Sequence, residues 1–189
     1  MGSTPSAREL HNFPMIERVG PEQWELLRST RLAALADAPD AFGATHVDES
    51  SLPESSWRAR TAEAAWFVAT HRDIPTGLVA LTSVDPNTRD SMPLVLDPPP
   101  AEIKIYGMWV HVKLRSTGVA DELVAQCARF AYDHGVASVT LGVFDDNARA
   151  IRFYERCGFA AMGTPKRSSA QPGRMFIDMT ASAAALLTP

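Results

Sequence analysis

Residues 102–112 read EIKIYGMWVHV, the strongest strand pattern in the chain. A short loop, KLRST, leads into GVADELVAQCARFAYDHG at 118–135. There Leu123, Cys127 and Ala131 share one helical side and Gly135 provides the stop. VASVTLGVF at 136–144 is again a strand. Two strands joined through a helix pair in parallel, and such a crossover is right-handed in nearly all proteins. The chain must therefore build a sheet with at least one helix-covered face.

The remaining segments attach to this unit mostly without further crossovers. Residues 1–14 are polar, with two prolines, and are expected to be a flexible N-terminal segment. MIERV (15–19) reads as a first strand. Pro21 opens a helix to residue 38, with Trp24, Leu27, Ala34 and Leu35 at helical spacing. Residues 39–51 read as a loop, and 53–64 as a shorter helix beginning at Pro53. AWFVATH (65–71) and PTGLVALTSV (75–84), joined by RDI, form an expected antiparallel hairpin. Residues 85–100 hold five prolines and read as a long loop of the kind that is often functional. After the crossover come a helix from 145 to 157, a strand at 158–163, a loop at 165–173 and a strand at 174–180. Residues 181–189 form a C-terminal tail. The expected class is α/β in the broad sense, an α+β mixed sheet that is mostly antiparallel with helices on both faces. It occupies a single domain from 15 to 180.

Composition narrows the function. Hydrophobic residues make up 46% of the 189 and charged residues 21%, which fits a globular domain. The net charge of −4 argues against a nucleic-acid binder, which carries a basic face. The two cysteines, Cys127 and Cys157, match no zinc spacing and read as core thiols, so no metal is expected. No apolar run approaches the ~18 residues of a membrane span, and MGSTPSARELHNFP lacks an apolar signal core. A soluble cytoplasmic protein is expected.

Two stretches carry chemistry. In VHVKLRSTGVADEL (110–123), a strand passes through a loop of small residues into a helix. Free backbone N–H groups and the helix dipole make such a terminus an anion site, and Gly118 would let a ligand come close. The loop lacks both G-x-G-x-x-G and G-K-[ST], and it also reads as an ordinary strand-to-helix turn. The second stretch is DDNARAIRFYERCGF (145–159). At roughly 100° per residue, Asn147 and Tyr154 fall on one stripe with Ala150 between them. Taken alone, this is an amphipathic helix with an Asn N-cap and a Gly C-cap.

Together the two stretches give V-x-V-x-x-R-x-x-G-x-A, a helix, a strand, and N-x-x-A-x-x-x-Y-x-x-x-G-F. This run resembles the GNAT acetyltransferase superfamily, tightly over 106–163 and loosely over most of the chain. RLAALADAPDAFGAT (31–45) is similar to the first-helix region of many small bacterial members. The resemblance implies a GNAT-like acyl-CoA N-acyltransferase fold with acetyl-CoA as acetyl donor. It implies that Val110, His111 and Val112 pair their backbone with the pantetheine arm. Arg115, Ser116, Thr117, Gly118, Val119 and Ala120 would form the pyrophosphate loop. Asn147 would contact the far end of the arm, and Tyr154 would sit beside the sulfur. Members often carry Gly where Ser116 and Ala120 stand, and Pro or Glu near Lys113. Many carry an acid where Lys104 stands; here the acid is Glu102.

The implied reaction is direct acetyl transfer to a primary amine: a small amine, an antibiotic, an amino acid or a peptide N-terminus. Strand alternation places Glu102, Lys104, Tyr106, Met108 and Val110 on one face. Glu102, directly or through a water, is the candidate base, and Tyr154 the candidate acid for the leaving thiolate. A backbone N–H near Val110 would hold the carbonyl oxygen. Met108 would bear on the size of the acyl group. Loops 37–52, 85–100 and 165–173 should shape the acceptor site, where Asp40, Asp48 and Glu49 would suit a cationic acceptor. A non-catalytic acyl-CoA-binding module is the alternative; it would have no use for a phenol at the sulfur. The expected partners are acetyl-CoA and an amine, with no nucleic acid or membrane, and a homodimer is the assembly to look for.

Overall fold

The computed structural model describes residues 14–168 and 171–188, so the expected N-terminal segment lies almost wholly outside the described residues. Eight strands form one sheet: β1 (Met15–Val19), β2 (Ala65–His71), β3 (Ile74–Val84), β4 (Ser91–Met92), β5 (Glu102–Val110), β6 (Ser138–Phe144), β7 (Ala160–Arg167) and β8 (Met175–Ser182). Their order is β1-β2-β3-β5-β6-β8-β7, with β4 on β3. Every pair is antiparallel except β5–β6, the crossover pair. The helices are α1 (Trp24–Asp37), α2 (His46–Ser50), α3 (Glu54–Glu63), α4 (Val119–Asp133) and α5 (Ala148–Cys157).

Alternation on the central strands divides the core between the two faces. Phe67, Val79, Leu81, Ile103 and Ile105 pack with Leu123, Cys127 and Ala131 of α4. Trp66, Val68, Leu78 and Ala80 pack on the other face with Leu27 and Leu35 of α1 and Trp57 of α3. Burying a side chain of this size contributes roughly 1.5–3 kcal/mol, so the α1 and α4 stripes anchor the helices to the sheet.

Several expectations change in detail. The first helix begins as a 3-10 turn at Pro21–Gln23. The segment expected as a loop over 39–51 contains α2, whose N-cap Thr45 accepts from the Asp48 amide. The loop 85–100 contains β4 and is tied down by hydrogen bonds from Leu94 N to Glu63 O and from Val95 N to Ser83 Oγ. The strand expected over 158–163 runs on to Arg167, and β8 extends to Ser182. The tail contains a 3-10 turn at Ala185–Leu187.

Two features of β5 position the site. First, its register against β3 slips: Leu78 faces Trp109 while Ala80 faces Tyr106. Gly107 and Met108 together therefore oppose Val79, a bulge in which Gly107 takes φ +66. Second, β5 and β6 pair only over Glu102–Ile105 and Ser138–Leu141. Beyond that point β5 continues to Val110 beside β3 and β6 continues to Phe144 beside β8. The sheet thus opens between its two central strands.

Candidate active site

The opening forms a cleft with two arms. One arm, of about 300 Å³, is walled by Phe42, Lys104, Tyr106, Gly107, Phe144, Ser168 and Phe176, among others. The other, of about 690 Å³, is walled by Val110, Arg115, Ser116, Gly118 and Ala120 and by Arg149, Arg152 and Arg156 of α5. Phe42, Met108, Asn147, Ala150 and Tyr154 line both arms, so they stand at the junction.

The larger arm ends at the start of α4. Gly118 is the N-cap at φ +93, a left-handed conformation open to glycine and strained for a branched residue. The first bond of the helix runs from Glu122 N to Gly118 O, which leaves the amides of Val119, Ala120 and Asp121 as free donors. Ser116 also lies in the left-handed region, at φ +68, where a glycine would be relaxed. Arg115 donates Nε to Val110 O at 3.0 Å and Nη2 to Asp37 Oδ2 at 2.7 Å. It is held across the mouth of the arm by the end of α1. The Thr117 hydroxyl turns back to Leu114 O, and the Val119 side chain is buried in the core. These two residues offer the arm only backbone.

The strand leading into this loop stops earlier than expected. β5 ends at Val110; His111 caps a 3-10 turn, its Nδ1 accepting from Lys113 N, and Val112 is exposed. Neither His111 nor Val112 lines the cleft. The His111 amide donates to Thr76 O on β3, so by alternation the Val110 amide turns the other way, toward the opening.

α5 brings Asn147 and Tyr154 to the junction, as their seven-residue spacing implied. Asn147 is the N-cap, and its Oδ1 accepts from Ala150 N at 3.1 Å, which leaves its NH₂ to donate. Gly158 ends the helix at φ +102. Tyr154 is buried against Phe153 and Phe159. Burial raises its pKa far above the usual phenol value, with Cys127 and Cys157 adding to the effect, so the ring keeps its proton. Tyr106 packs edge-on to Trp66, and burial pushes its pKa up to about 12.

Glu102 is not brought to this place. It lies at the opposite end of β5 from Val110, forms an ion pair with Arg89 and lines neither arm. The expected single face of β5 fails for a physical reason. The Gly107–Met108 bulge inverts the alternation, so Tyr106 packs with the α1 face while Met108 and Val110 pack with the α4 face. The acids expected to greet a cationic acceptor are elsewhere too. Glu49 is buried between Arg31 and Arg60, and Asp40 and Asp48 line neither arm. Loops 37–52 and 165–173 supply Phe42 and Ser168, but loop 85–100 supplies no wall.

Sequence reasoning missed the three arginines of α5. Their spacing, at 149, 152 and 156, places them on one helical stripe and would have revealed them. It also missed Asp37, for which the sequence gives no signal. Both cysteines are free, Cys127 buried and Cys157 half-buried. Burial raises both thiol pKa values, that of Cys157 to about 11. Among the described residues no cluster of His, Cys, Asp and Glu could hold a metal, and no helix is long and apolar enough to cross a membrane.

A mixed sheet split between its two parallel strands, with a helix N-terminus at one end of the split, defines an acyl-CoA-binding acetyltransferase fold. The chain belongs to the acetyltransferase (GNAT) family, whose model matches residues 29–159. The structure is similar to the GNAT-family acetyltransferase of Streptococcus pneumoniae, with a TM-score of 0.68 at 15% identity, covering 89% of this chain and 98% of that one. It is also similar to the putative acetyltransferase YncA of Salmonella typhimurium, solved with acetyl-CoA (TM-score 0.66, 13% identity, 93% and 95% covered). A third similar structure is the ribosomal-protein-alanine N-acetyltransferase of Brucella melitensis (TM-score 0.66, 17% identity, 89% and 99% covered). No curated protein matches the chain.

Proposed function

We propose that the protein transfers the acetyl group of acetyl-CoA directly to the nitrogen of an amine acceptor. The observation that carries this reading is the cleft itself. Its larger arm ends in free helix amides and arginines, its junction holds the Tyr154 phenol, and a second arm leads away from that junction. In this reading the amides of Val119, Ala120 and Asp121 hold the pyrophosphate, and Arg149 and Arg152 add charge for the phosphates. The opened edge of β5, with the Val110 amide, receives the pantetheine arm and the acetyl carbonyl. The Asn147 NH₂ donates to the arm near its end.

The amine enters from the smaller arm and attacks the thioester carbon. A C–N bond forms, the C–S bond breaks, and the amine's proton leaves through solvent. The Tyr154 hydroxyl donates to the departing sulfur and passes it a proton that water replaces in the same step, so that no buried phenolate forms. Neither cysteine lines the cleft, and the amine attacks acetyl-CoA directly without a covalent enzyme intermediate. A module that only binds acyl-CoA would leave the Tyr154 hydroxyl without a task.

The test is release of free thiol from acetyl-CoA across a panel of amines. Amine-dependent release with stoichiometric N-acetyl product supports transfer. Tight binding of acetyl-CoA with no release for any amine supports the binding module instead.

A further inference from the structure

The smaller arm has an electrostatic character of its own. Among the described residues, Lys104 is the only charged side chain in its walls. Lys104 takes part in none of the ion pairs among the described residues. It is half-buried between Thr82 of β3 and Thr140 of β6, its direct neighbours across the sheet. The Thr82 hydroxyl is itself buried without a partner.

A second, independent feature lies behind the wall. Arg31 is 7% exposed and binds Glu49 through Nε and Nη2, but its Nη1 is buried with no hydrogen-bond partner. That nitrogen lies 3.7 Å from where a Cβ on Gly107 would stand, and Gly107 is part of the wall. The Arg31 guanidinium also covers the Phe42 ring at 4.5 Å. Glu49 serves two guanidinium groups, Arg31 and Arg60, so this cluster keeps an excess positive charge. On the β8 side, Asp178 stands behind Gly142 but is taken by Lys166 at 2.7 Å. Glu102 is matched by Arg89, and Glu63 is exposed. The arm is thus walled by Phe42, Tyr106, Phe144 and Phe176 and sits in a positive field, with Lys104 as its one free cation among the described residues.

We infer that the acceptor is a small amine that carries a carboxylate, of the α-amino acid class, with its carboxylate on Lys104 and its apolar part against the phenylalanines. This rests on the acetyltransferase reading of the same cleft. The Arg31 guanidinium behind Gly107 does not line the arm, but its charge adds to that of Lys104 in favouring an anion there. The positive field also lowers the pKa of an amine in the arm, which favours the neutral form that can attack. That accounts for a transferase whose acceptor arm presents no free carboxylate as base among the described residues. Polyamines, by contrast, would bring cations toward cations.

The experiment compares three acceptor sets with the full chain and acetyl-CoA, reading thiol release. These are free amino acids with apolar side chains, the amides of the same amino acids, and linear polyamines. The free acids are expected to exceed their amides by about tenfold or more in kcat/KM, the typical worth of a charge-assisted bond, with polyamines lowest. Lys104→Met should shrink the acid-to-amide ratio by about tenfold, and Lys104→Glu should reverse it. Melting temperatures establish that the variants fold, and Lys104→Gln replaces any that does not. Amides or polyamines turning over as well as the acids would overturn this inference and leave the transferase reading intact. An unchanged ratio in a folded Lys104 variant would do the same. No release with any of the three sets would overturn both.

Discussion

Asp37 closes α1 and Arg115 opens the loop before α4, yet one carboxylate oxygen joins them: Arg115 Nη2 lies 2.7 Å from Asp37 Oδ2. The same oxygen accepts from Trp109 Nε1 at 2.9 Å. A single acid therefore ties the first helix, the end of β5 and the turn before α4 together. Arg115 is held in place before any ligand arrives, and its Nε also grips the Val110 carbonyl beside the opening. Asp37→Ala should loosen this corner. We expect CoA affinity to fall by roughly threefold to tenfold, in line with the loss of about 1 kcal/mol of ordering for one charged hydrogen bond. Titration of CoA onto the folded variant checks this. Unchanged affinity would mean that Arg115 keeps its position without Asp37.

Tyr154→Phe keeps the ring and its contacts with Phe153 and Phe159 and removes only the hydroxyl. Turnover should fall by about a hundredfold, the lower end for a general acid, because a thiolate leaves readily. Acetyl-CoA binding should be nearly unaffected. Burial holds the Tyr154 pKa far above the assay range, so the phenol stays protonated and contributes no alkaline limb. The alkaline limb of kcat should therefore sit at the same pH in wild type and variant. A limb that moves with the substitution would mean the phenol titrates in the working enzyme.

Glu49 links pH to stability. Burial works to raise its pKa, but hydrogen bonds and charge from Arg31 and Arg60 outweigh that and hold it below its ordinary value of 4.5. A lowered folded-state pKa gives stability that is fully present above the unfolded value. That stability is lost as pH falls through the folded one. Below about pH 4.5 the wild type should therefore lose melting temperature progressively. Glu49→Gln should flatten that part of the curve. It should also cost about 3 kcal/mol or more at neutral pH, since two guanidinium groups lose their buried partner. Melting curves across this range check both effects. A variant with the wild-type acid slope would assign the slope to other carboxylates.

Much of the fold was legible because its signals are local. The β5–α4–β6 crossover, the Pro21 start of the first helix and the Asn147 and Gly158 caps each depend on neighbours a few residues away. The turn through Gly118 into α4 and the Asn147–Tyr154 stripe were legible for the same reason. What failed was long-range. The bulge at Gly107–Met108 is a register slip against β3; Gly107 inside the strand was its one local sign, and only the pairing with β3 shows that the alternation inverts there. Glu102 was assigned to the site by that alternation, and it lies instead with Arg89 at the far end of the strand. Asp37 and Arg115 meet only because α1 packs over the end of β5, and Arg31 and Glu49 meet only because α2 folds back on α1.

The central claim is that the split between β5 and β6 holds acetyl-CoA with its pyrophosphate on the α4 amides. Its most direct test is the melting temperature of wild type and Gly118→Val with and without acetyl-CoA. At a hundred times Kd, binding should stabilise wild type by about 2.7 kcal/mol, a rise of roughly 5–10 °C for a chain of this size. Gly118 stands at φ +93, so valine there both strains the loop and crowds the amides. The variant should melt lower on its own and gain little or nothing from acetyl-CoA. A folded Gly118→Val that gains as much as wild type would place the pyrophosphate elsewhere, and a wild type with no shift at millimolar acetyl-CoA would contradict the account itself.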